Sequence, residues 1–260
     1  MPVSTHPSPE YVNDPYLSMA AGRNPLISEI SQVNKFGENP DIANSTTEDV
    51  WDGGGTYSYP TTALMTSMSQ TTDQAAMQGA TIELQGLDAS WDLIVQTKAL
   101  DASDTTTVIT LDTPMIRCFR MKVLANVVSD QDIRCHNAGE TVDYAIIQAG
   151  NNQTLMALYT VPNGKTAYMS QWYSDNVPTS TKKPDSVNFT LWMADRANSY
   201  EFQVKSKRGI PISGPGFNHP FRPYLKITQK TDIRINALVN GGAGDDGNPH
   251  SGYDLIMIDN

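Results

Sequence analysis

The residues best suited to chemistry in this sequence are its two cysteines and its four histidines. Cys118 and the dipeptide Cys135-His136 offer three ligands to a metal ion, whereas a closed structural zinc site needs four ligands in closely spaced pairs. Both cysteines lie in strand-like segments, so a disulfide between them is geometrically feasible. In a reducing cytoplasm two buried thiols are the expected state. The sequence therefore predicts free cysteines and no bound metal.

The loop 244–248 (GDDGN) has the only calcium-like composition in the chain. It lacks the alternating ligand spacing and the terminal glutamate of an EF-hand, so the sequence favours a surface turn. No Gly-x-Ser-x-Gly or His-Glu-x-x-His motif occurs. The sequence also does not place two carboxylates face to face for general acid–base catalysis. We therefore expect a protein that is not an enzyme and that binds no cofactor.

Aromatic residues at Trp172, Tyr173 and Trp192 could provide flat rings on which a sugar stacks. Large aromatic side chains more often fill β cores and interfaces, and that interpretation is favoured here. The alternative, a glycan-binding module, predicts that Trp172 and Trp192 form a surface patch.

The elements that must position these residues are β-strands. Asn163-Gly164 separates two apolar-rich runs, which predicts a hairpin with strands over 154–161 and 166–173. Alternating segments interrupted by a turn signal about every eight to twelve residues indicate an all-β protein. We expect two β-sandwich or jelly-roll-like units, over 48–148 and 149–260, preceded by an extended N-terminal arm over 1–47.

The arm is predicted from its prolines and from its scattered apolar residues. Proline fixes φ and removes a hydrogen-bond donor, so regular elements are disfavoured there. The segment is nevertheless apolar enough to dock, either on its own domain or on a neighbouring subunit. The candidate docking residues are Tyr11, Tyr16, Leu17, Leu26, Ile27 and Phe36.

Charge and hydropathy limit the classes of partner that the chain is expected to bind. The 260 residues include 18 basic and 28 acidic ones, for a net charge of −10, which argues against nucleic acid as the main partner. The cluster Lys205, Lys207 and Arg208 is interpreted as a solvated strand end. The N-terminus has no basic start followed by an apolar stretch, and no apolar run approaches the ~20 residues that span a bilayer. We therefore expect synthesis in a cytoplasm and no membrane partner.

Six stretches carry motifs that are structural rather than catalytic: 35–42 (KFGENPDI), 48–57 (EDVWDGGGTY), 85–88 (QGLD), 153–162 (QTLMALYTVP), 164–168 (GKTAY) and 252–256 (GYDLI). These stretches resemble uncharacterised virion structural proteins of tailed bacteriophages, especially marine ones. The resemblance extends over residues 33–260, and the stretch 1–32 has no counterpart in it.

The resemblance implies a non-enzymatic structural protein located in the virion and assembled in the host cytoplasm. The first hypothesis is a decoration or cement protein of the capsid, homo-oligomeric and attached to other virion proteins through its N-terminal arm. One alternative is a ring or fibre-anchoring protein of the neck or tail. A second alternative is a module that binds a host glycan through Trp172 and Trp192, and an enzyme such as a polysaccharide depolymerase ranks after these.

Overall fold

The computed structural model describes residues 30–177, 183–211 and 214–260, and over these ranges the chain is all-β, as predicted. Two 3-10 helices span Ala75–Met77 and Arg196–Asn198. The described ranges contain no helix long and apolar enough to cross a bilayer. The strands are β1 (Ile30–Glu38), β2 (Ile42–Ala43), β3 (Thr47–Asp49), β4 (Met65–Gln70), β5 (Thr81–Leu87), β6 (Leu93–Ala99), β7 (Ile109–Met115), β8 (Arg117–Val123), β9 (Ile133–His136), β10 (Asp143–Ile147), β11 (Leu158–Thr160), β12 (Lys165–Asn176), β13 (Ser186–Asp195), β14 (Gln203–Pro211), β15 (Phe217–Ile227), β16 (Thr231–Asn240), β17 (Asp246–Gly247) and β18 (Pro249–Asp259).

Two of the sheets form a jelly roll. One sheet has the order β1-β18-β12-β15 and the other the order β11-β16-β13-β14, with antiparallel pairing throughout. Strands that follow one another along the chain alternate between the sheets, except that β13 and β14 pair with each other within one sheet, and the last strand, β18, pairs with the first, β1. This is the order of an eight-stranded double Greek key, the jelly roll.

The second strand position of the jelly roll is filled by two separate segments. β3 pairs with β16 at Asn236–Leu238, and β11 pairs with the same edge of β16 at Asp232–Arg234. The two segments therefore lie end to end along one neighbour. The chain leaves the jelly roll after Asp49 and returns before Leu158, and Ala157 N donates to Val50 O (2.9 Å) where the two crossings meet. Residues 50–157 are consequently an insertion within one strand.

The insertion is a second sandwich, formed by the sheets β10-β9-β4-β7 and β6-β5-β8. Its core is rich in methionine, a flexible side chain that fills irregular gaps. The jelly roll has its own core around the fully buried Trp172, Phe189 and Tyr253. Each unit therefore has its own core, and Leu87, Ile116 and Phe119 of the insertion belong to the apolar cluster of the jelly roll. The fully buried methionines of the insertion core are Met65, Met68, Met77, Met115, Met121 and Met156.

The structure corrects the predicted division of the chain. Residues 30–47, assigned to the arm, contain β1 and β2 and the start of β3, and all nine residues of β1 pair with β18. The jelly roll is thus built from both sides of the insertion and does not begin at residue 149. The cause is long-range pairing between the first and last strands, which no local pattern shows. The remaining part of the arm, 1–29, lies outside the described residues.

The hairpin prediction is also wrong, although its turn is present. Lys165 N donates to Pro162 O (3.3 Å), and Gly164 has a φ of 72°, which suits glycine. The strands on either side do not pair, because β11 joins β16 whereas β12 joins β15 and β18. The Asn-Gly turn therefore carries the chain from one sheet of the jelly roll to the other.

Gly37 on β1 packs directly against the backbone of residues 156 and 157, where the chain returns to the jelly roll. A Cβ at this position would lie 2.3 Å from Ala157 N and 2.7 Å from Met156 C, and backbone atoms cannot move aside. We expect Gly37→Ala to lower the free energy of unfolding by about 1–3 kcal/mol, the cost of an overpacked core. Gly139→Ala is the control, because the nearest atom to its Cβ would be Thr141 Cγ2 at 3.8 Å. Equal urea midpoints for the two variants would contradict the packing described here.

Candidate functional site

The boundary between the insertion and the jelly roll contains the Asp232 carboxylate, which accepts four side-chain hydrogen bonds. Asp232 lies on β16 and is fully buried. Arg117, which begins β8 of the insertion, donates from Nε to Oδ1 and from Nη2 to Oδ2, each at 2.9 Å. Arg196 donates from Nε to Oδ2 (2.8 Å), and Thr160 donates from Oγ1 to Oδ1 (2.6 Å). A bidentate contact of this kind fixes orientation as well as distance.

Arg117 is held on all sides. Its Nη1 donates to Pro60 O and Ile116 O, both at 2.7 Å. Its guanidinium also lies over two rings, 4.9 Å from the centroid of Trp91 and 5.1 Å from that of Tyr59. Burial opposes the charge of Arg117, but the hydrogen bonds and charge of Asp232 outweigh it and raise the arginine pKa.

A third arginine, Arg234, lies on β16 two positions after Asp232. Arg234 Nη1 lies 3.4 Å from Asp49 Oδ2, and its guanidinium lies 4.2 Å from the ring centroid of Phe202. Burial raises the Asp49 pKa to about 6, against the opposing effect of Arg234 and of the hydrogen bond that Tyr57 N donates. Tyr59 connects Arg117 with Arg234. Its ring lies beneath Arg117, and it is 5.0 Å from the ring of Phe202, which Arg234 contacts. Together these residues form a continuous arginine–aromatic layer.

Lys35 joins the units at a second point. It lies on β1, and its Nζ donates to Phe119 O of the insertion. Burial, assisted by the nearby Arg120 charge, lowers the Lys35 pKa to about 7. Asp52 lies close enough to interact with it electrostatically. Burial raises the Asp52 pKa well above its usual range, although Leu155 N donates to Oδ2 (2.8 Å).

The predicted aromatic patch does not exist in this structure. Trp172 is fully buried on β12, where its Nε1 donates to Ser251 Oγ (3.0 Å) and its ring packs edge-on against Phe217. Side chains alternate between the two faces of β12, and Trp172 is on the face that points into the jelly-roll core. Trp192 is half-buried on β13 of the opposite sheet, and Arg234 lies over its ring at 5.7 Å. The two tryptophans therefore do not share a surface.

Of the predicted docking residues, Phe36 alone lies in the described ranges; Tyr11, Tyr16, Leu17, Leu26 and Ile27 lie outside them. Phe36 is half-buried on β1 and lines a cleft of about 400 Å³. His250 also lines the cleft, with Nε2 3.4 Å from Glu38 Oε2 and Nδ1 3.5 Å from Asp175 Oδ1. Within the described ranges, no group of three His, Cys, Asp or Glu residues is arranged to hold a metal ion.

The other sequence candidates have structural positions. Cys118 and Cys135 are buried free thiols in the insertion, and a hydrogen bond between them, together with burial, raises the Cys135 pKa. In the GDDGN loop, Asp245 Oδ2 accepts from Gly242 N (2.6 Å), which closes a turn. Sequence reasoning missed Asp232 and Arg117, which are 115 positions apart. No motif spacing connects them.

Comparison with known proteins gave no matching family and no matching curated protein. Similar solved structures include T=1 particles derived from infectious bursal virus, at 10% identity and a TM-score of 0.26, covering 91% of this chain and 71% of that one. They also include the VP2 subviral particle of infectious bursal disease virus, at 10% identity and a TM-score of 0.25, covering 91% and 74% respectively. Similarity at these scores does not establish a common fold.

The first prediction for this boundary concerns Asp232. Asp232→Asn would leave the guanidinium groups of Arg117 and Arg196 without their buried counter-charge, so we expect a loss of about 3–5 kcal/mol in the free energy of unfolding. The control is Asp112→Asn, whose side chain is 72% exposed and pairs with Lys98 at the surface. Exposed pairs contribute about 0–1 kcal/mol. Similar denaturant midpoints for both variants would refute the central role of Asp232.

The second prediction concerns pH. The folded-state pKa of Lys35 is lowered to about 7 from its ordinary value of 10.5, so between these values the unfolded chain binds more protons than the folded one. The contribution of Lys35 to stability therefore increases as pH rises from about 7 toward 10, and it is least favourable below pH 7. Because Lys35→Met has no such titration, the stability of the variant relative to wild type should fall over this range. Parallel stability profiles for the two proteins, measured by urea unfolding, would contradict the assignment.

Proposed function

We propose that this protein is a non-enzymatic structural component of a tailed-phage virion, which decorates the head and attaches through its N-terminal residues. The observation that carries the proposal is the jelly-roll strand order with a sandwich inserted into one strand. Jelly rolls form viral capsid domains, and they also occur in lectins and cupins. Because a fold alone does not determine function, the sequence resemblance to virion proteins selects among these classes.

The arrangement of buried charge is consistent with a mechanical role. Asp232 and Lys35 each contact a residue of the insertion, Arg117 and Phe119 respectively. Directional contacts at these two points hold the two sandwiches as one body. A rigid body of this kind suits a subunit that must present the same surfaces in every copy of a particle.

The location in the virion is tested by counting copies. Quantitative mass spectrometry of gradient-purified virions should find the protein in amounts comparable with the major capsid protein. Roughly six to twelve copies per particle would instead assign it to a ring in the neck or tail, in accordance with closed symmetry. Its absence from purified virions would overturn the proposal.

Attachment of the protein to the capsid through its N-terminal residues is tested by two truncations. The shorter one removes no described strand, and the longer one removes β1. Removal of residues 1–29 leaves every described strand in place, so we expect an unchanged unfolding midpoint and loss of binding to capsids that lack the protein. Removal of residues 1–38 also deletes β1, an edge strand paired along its whole length with β18, and should lower the midpoint. Capsid binding by the shorter truncation at unchanged affinity would refute attachment through the N-terminus.

A further inference from the structure

Positive charge is concentrated in one part of this acidic chain. Between Glu201 and Asp232 the sequence contains no acidic residue, whereas the whole chain has 28 acids and a net charge of −10. Most basic residues of this segment lie on β14 and β15. We call this surface the basic flank and define it by Lys205, Lys207, Arg208, Arg222 and Lys226.

The basic flank is continuous across the two sheets of the jelly roll. β14 is the edge strand of one sheet and β15 that of the other. Arg208 Nη2 lies 3.0 Å from His219 Nδ1, so the two edges face each other. Among the described residues, no carboxylate forms an ion pair with any cation of the flank. Exposed Val204 and Tyr224 add apolar surface between the charges.

Lysine and proline on an edge strand also prevent unwanted strand pairing. That role accounts for Pro220 and Pro223 on β15 and for isolated lysines. It does not account for the exclusion of every acid over thirty consecutive positions, 202–231. Such one-signed surfaces create a field that attracts an oppositely charged partner.

A surface of the opposite sign lies at the far end of the insertion. Three turns meet there: the turn after β4, the turn after β6 and the turn before β9. They lie beyond the ends of β5 and β6 at which Thr81 pairs with Ala99. The jelly roll contacts the other end, where Asn163 N donates to Trp91 O (2.8 Å). We call this surface the acidic tip and define it by Asp73, Asp101, Asp104 and Asp130.

The carboxylates of the acidic tip are held in place by its turns. Thr105 N donates to Asp73 Oδ1 (2.9 Å), and Ser103 N donates to Asp101 Oδ1 (2.8 Å). These hydrogen bonds lower the pKa of both aspartates, so the charge persists in mildly acidic solution. The nearby cations Lys98 and Lys122 are already paired, with Asp112 and Glu83. Exposed apolar residues accompany the tip as well: Val108, Leu124 and Val128.

We propose that the basic flank of one copy binds the acidic tip of a second copy. The two surfaces are opposite in charge, each includes exposed apolar side chains, and they lie on different units at separate ends of the fold. A contact between two different surfaces is heterologous, so it closes into a ring or continues as a lattice. The inference deepens the proposed function by naming a second copy of this chain as the partner of the flank.

The test is the mass of the full-length protein in solution, measured by light scattering and sedimentation. We expect species larger than one chain at about 0.05 M salt and single chains at about 1 M salt, where screening is strong. The flank variant, Lys205→Glu/Lys207→Glu/Arg208→Glu, and the tip variant, Asp104→Lys/Asp130→Lys, should each remain single chains at low salt. An equimolar mixture of the two should associate, because each supplies the charge that the other requires.

Three controls exclude simpler causes. The flank variant makes the net charge more negative and the tip variant makes it less negative, so loss of association in both cannot arise from net charge. Lys183→Glu, an exposed reversal outside the flank, should associate like the wild type. Unchanged circular dichroism and unfolding midpoints establish that both multiple variants are folded.

Several results would overturn the inference. These are a wild-type protein that stays a single chain at low salt, association that survives both reversals, or a mixture of the variants that does not associate. Duplex DNA binding that depends on the flank, without self-association, would assign the flank to a polyanion instead. A protein found in virions but unable to self-associate would refute this inference alone. Head-to-tail association by a protein missing from virions would refute the proposed function alone.

Discussion

The position of the insertion depends on the buried carboxylate of Asp232. A carboxylate withdrawn from water is stable only where cations and donors replace its hydration. Here Arg117 reaches it from the insertion, and Arg196 and Thr160 reach it from the jelly roll. The planar guanidinium of Arg117 permits one relative orientation of the two units, whereas apolar contact along the same boundary permits many. The carboxylate therefore determines geometry more than it determines total stability.

Fixed geometry is also what repeated assembly requires. The acidic tip belongs to the insertion and the basic flank to the jelly roll, so the angle between them is set by the boundary that Asp232 controls. In a head-to-tail contact this angle decides how many copies close a ring or whether the series stays open. A flexible boundary would allow many such angles. In the proposed head-to-tail assembly, the internal ion pairs and the external charged surfaces would both contribute to the shape of the assembled object.

Local alternation in the sequence identified individual strands, but not their partners. The runs at Thr81–Leu87 and Ser186–Asp195 have the period of two expected of strands and are strands in the structure. Strand pairing joins residues that are distant in sequence. No local pattern therefore shows that β1 pairs with β18, or that β3 and β11 share one strand position. For the same reason no local pattern around β16 indicates that Asp232 is buried. Its burial depends on Arg117, which a distant segment supplies.

The divided strand has a consequence for how the chain can vary between relatives. The pairing of β3 and β11 with β16 fixes the two points where the insertion begins and ends, and these points are bonded to each other through Ala157 and Val50. Loop closure becomes costlier only slowly with length. Segments of different size could therefore replace the insertion without changing the strand register of the jelly roll. The same scaffold would then present different tips to neighbouring copies in the proposed assembly, and its geometry would change through a single site in the chain.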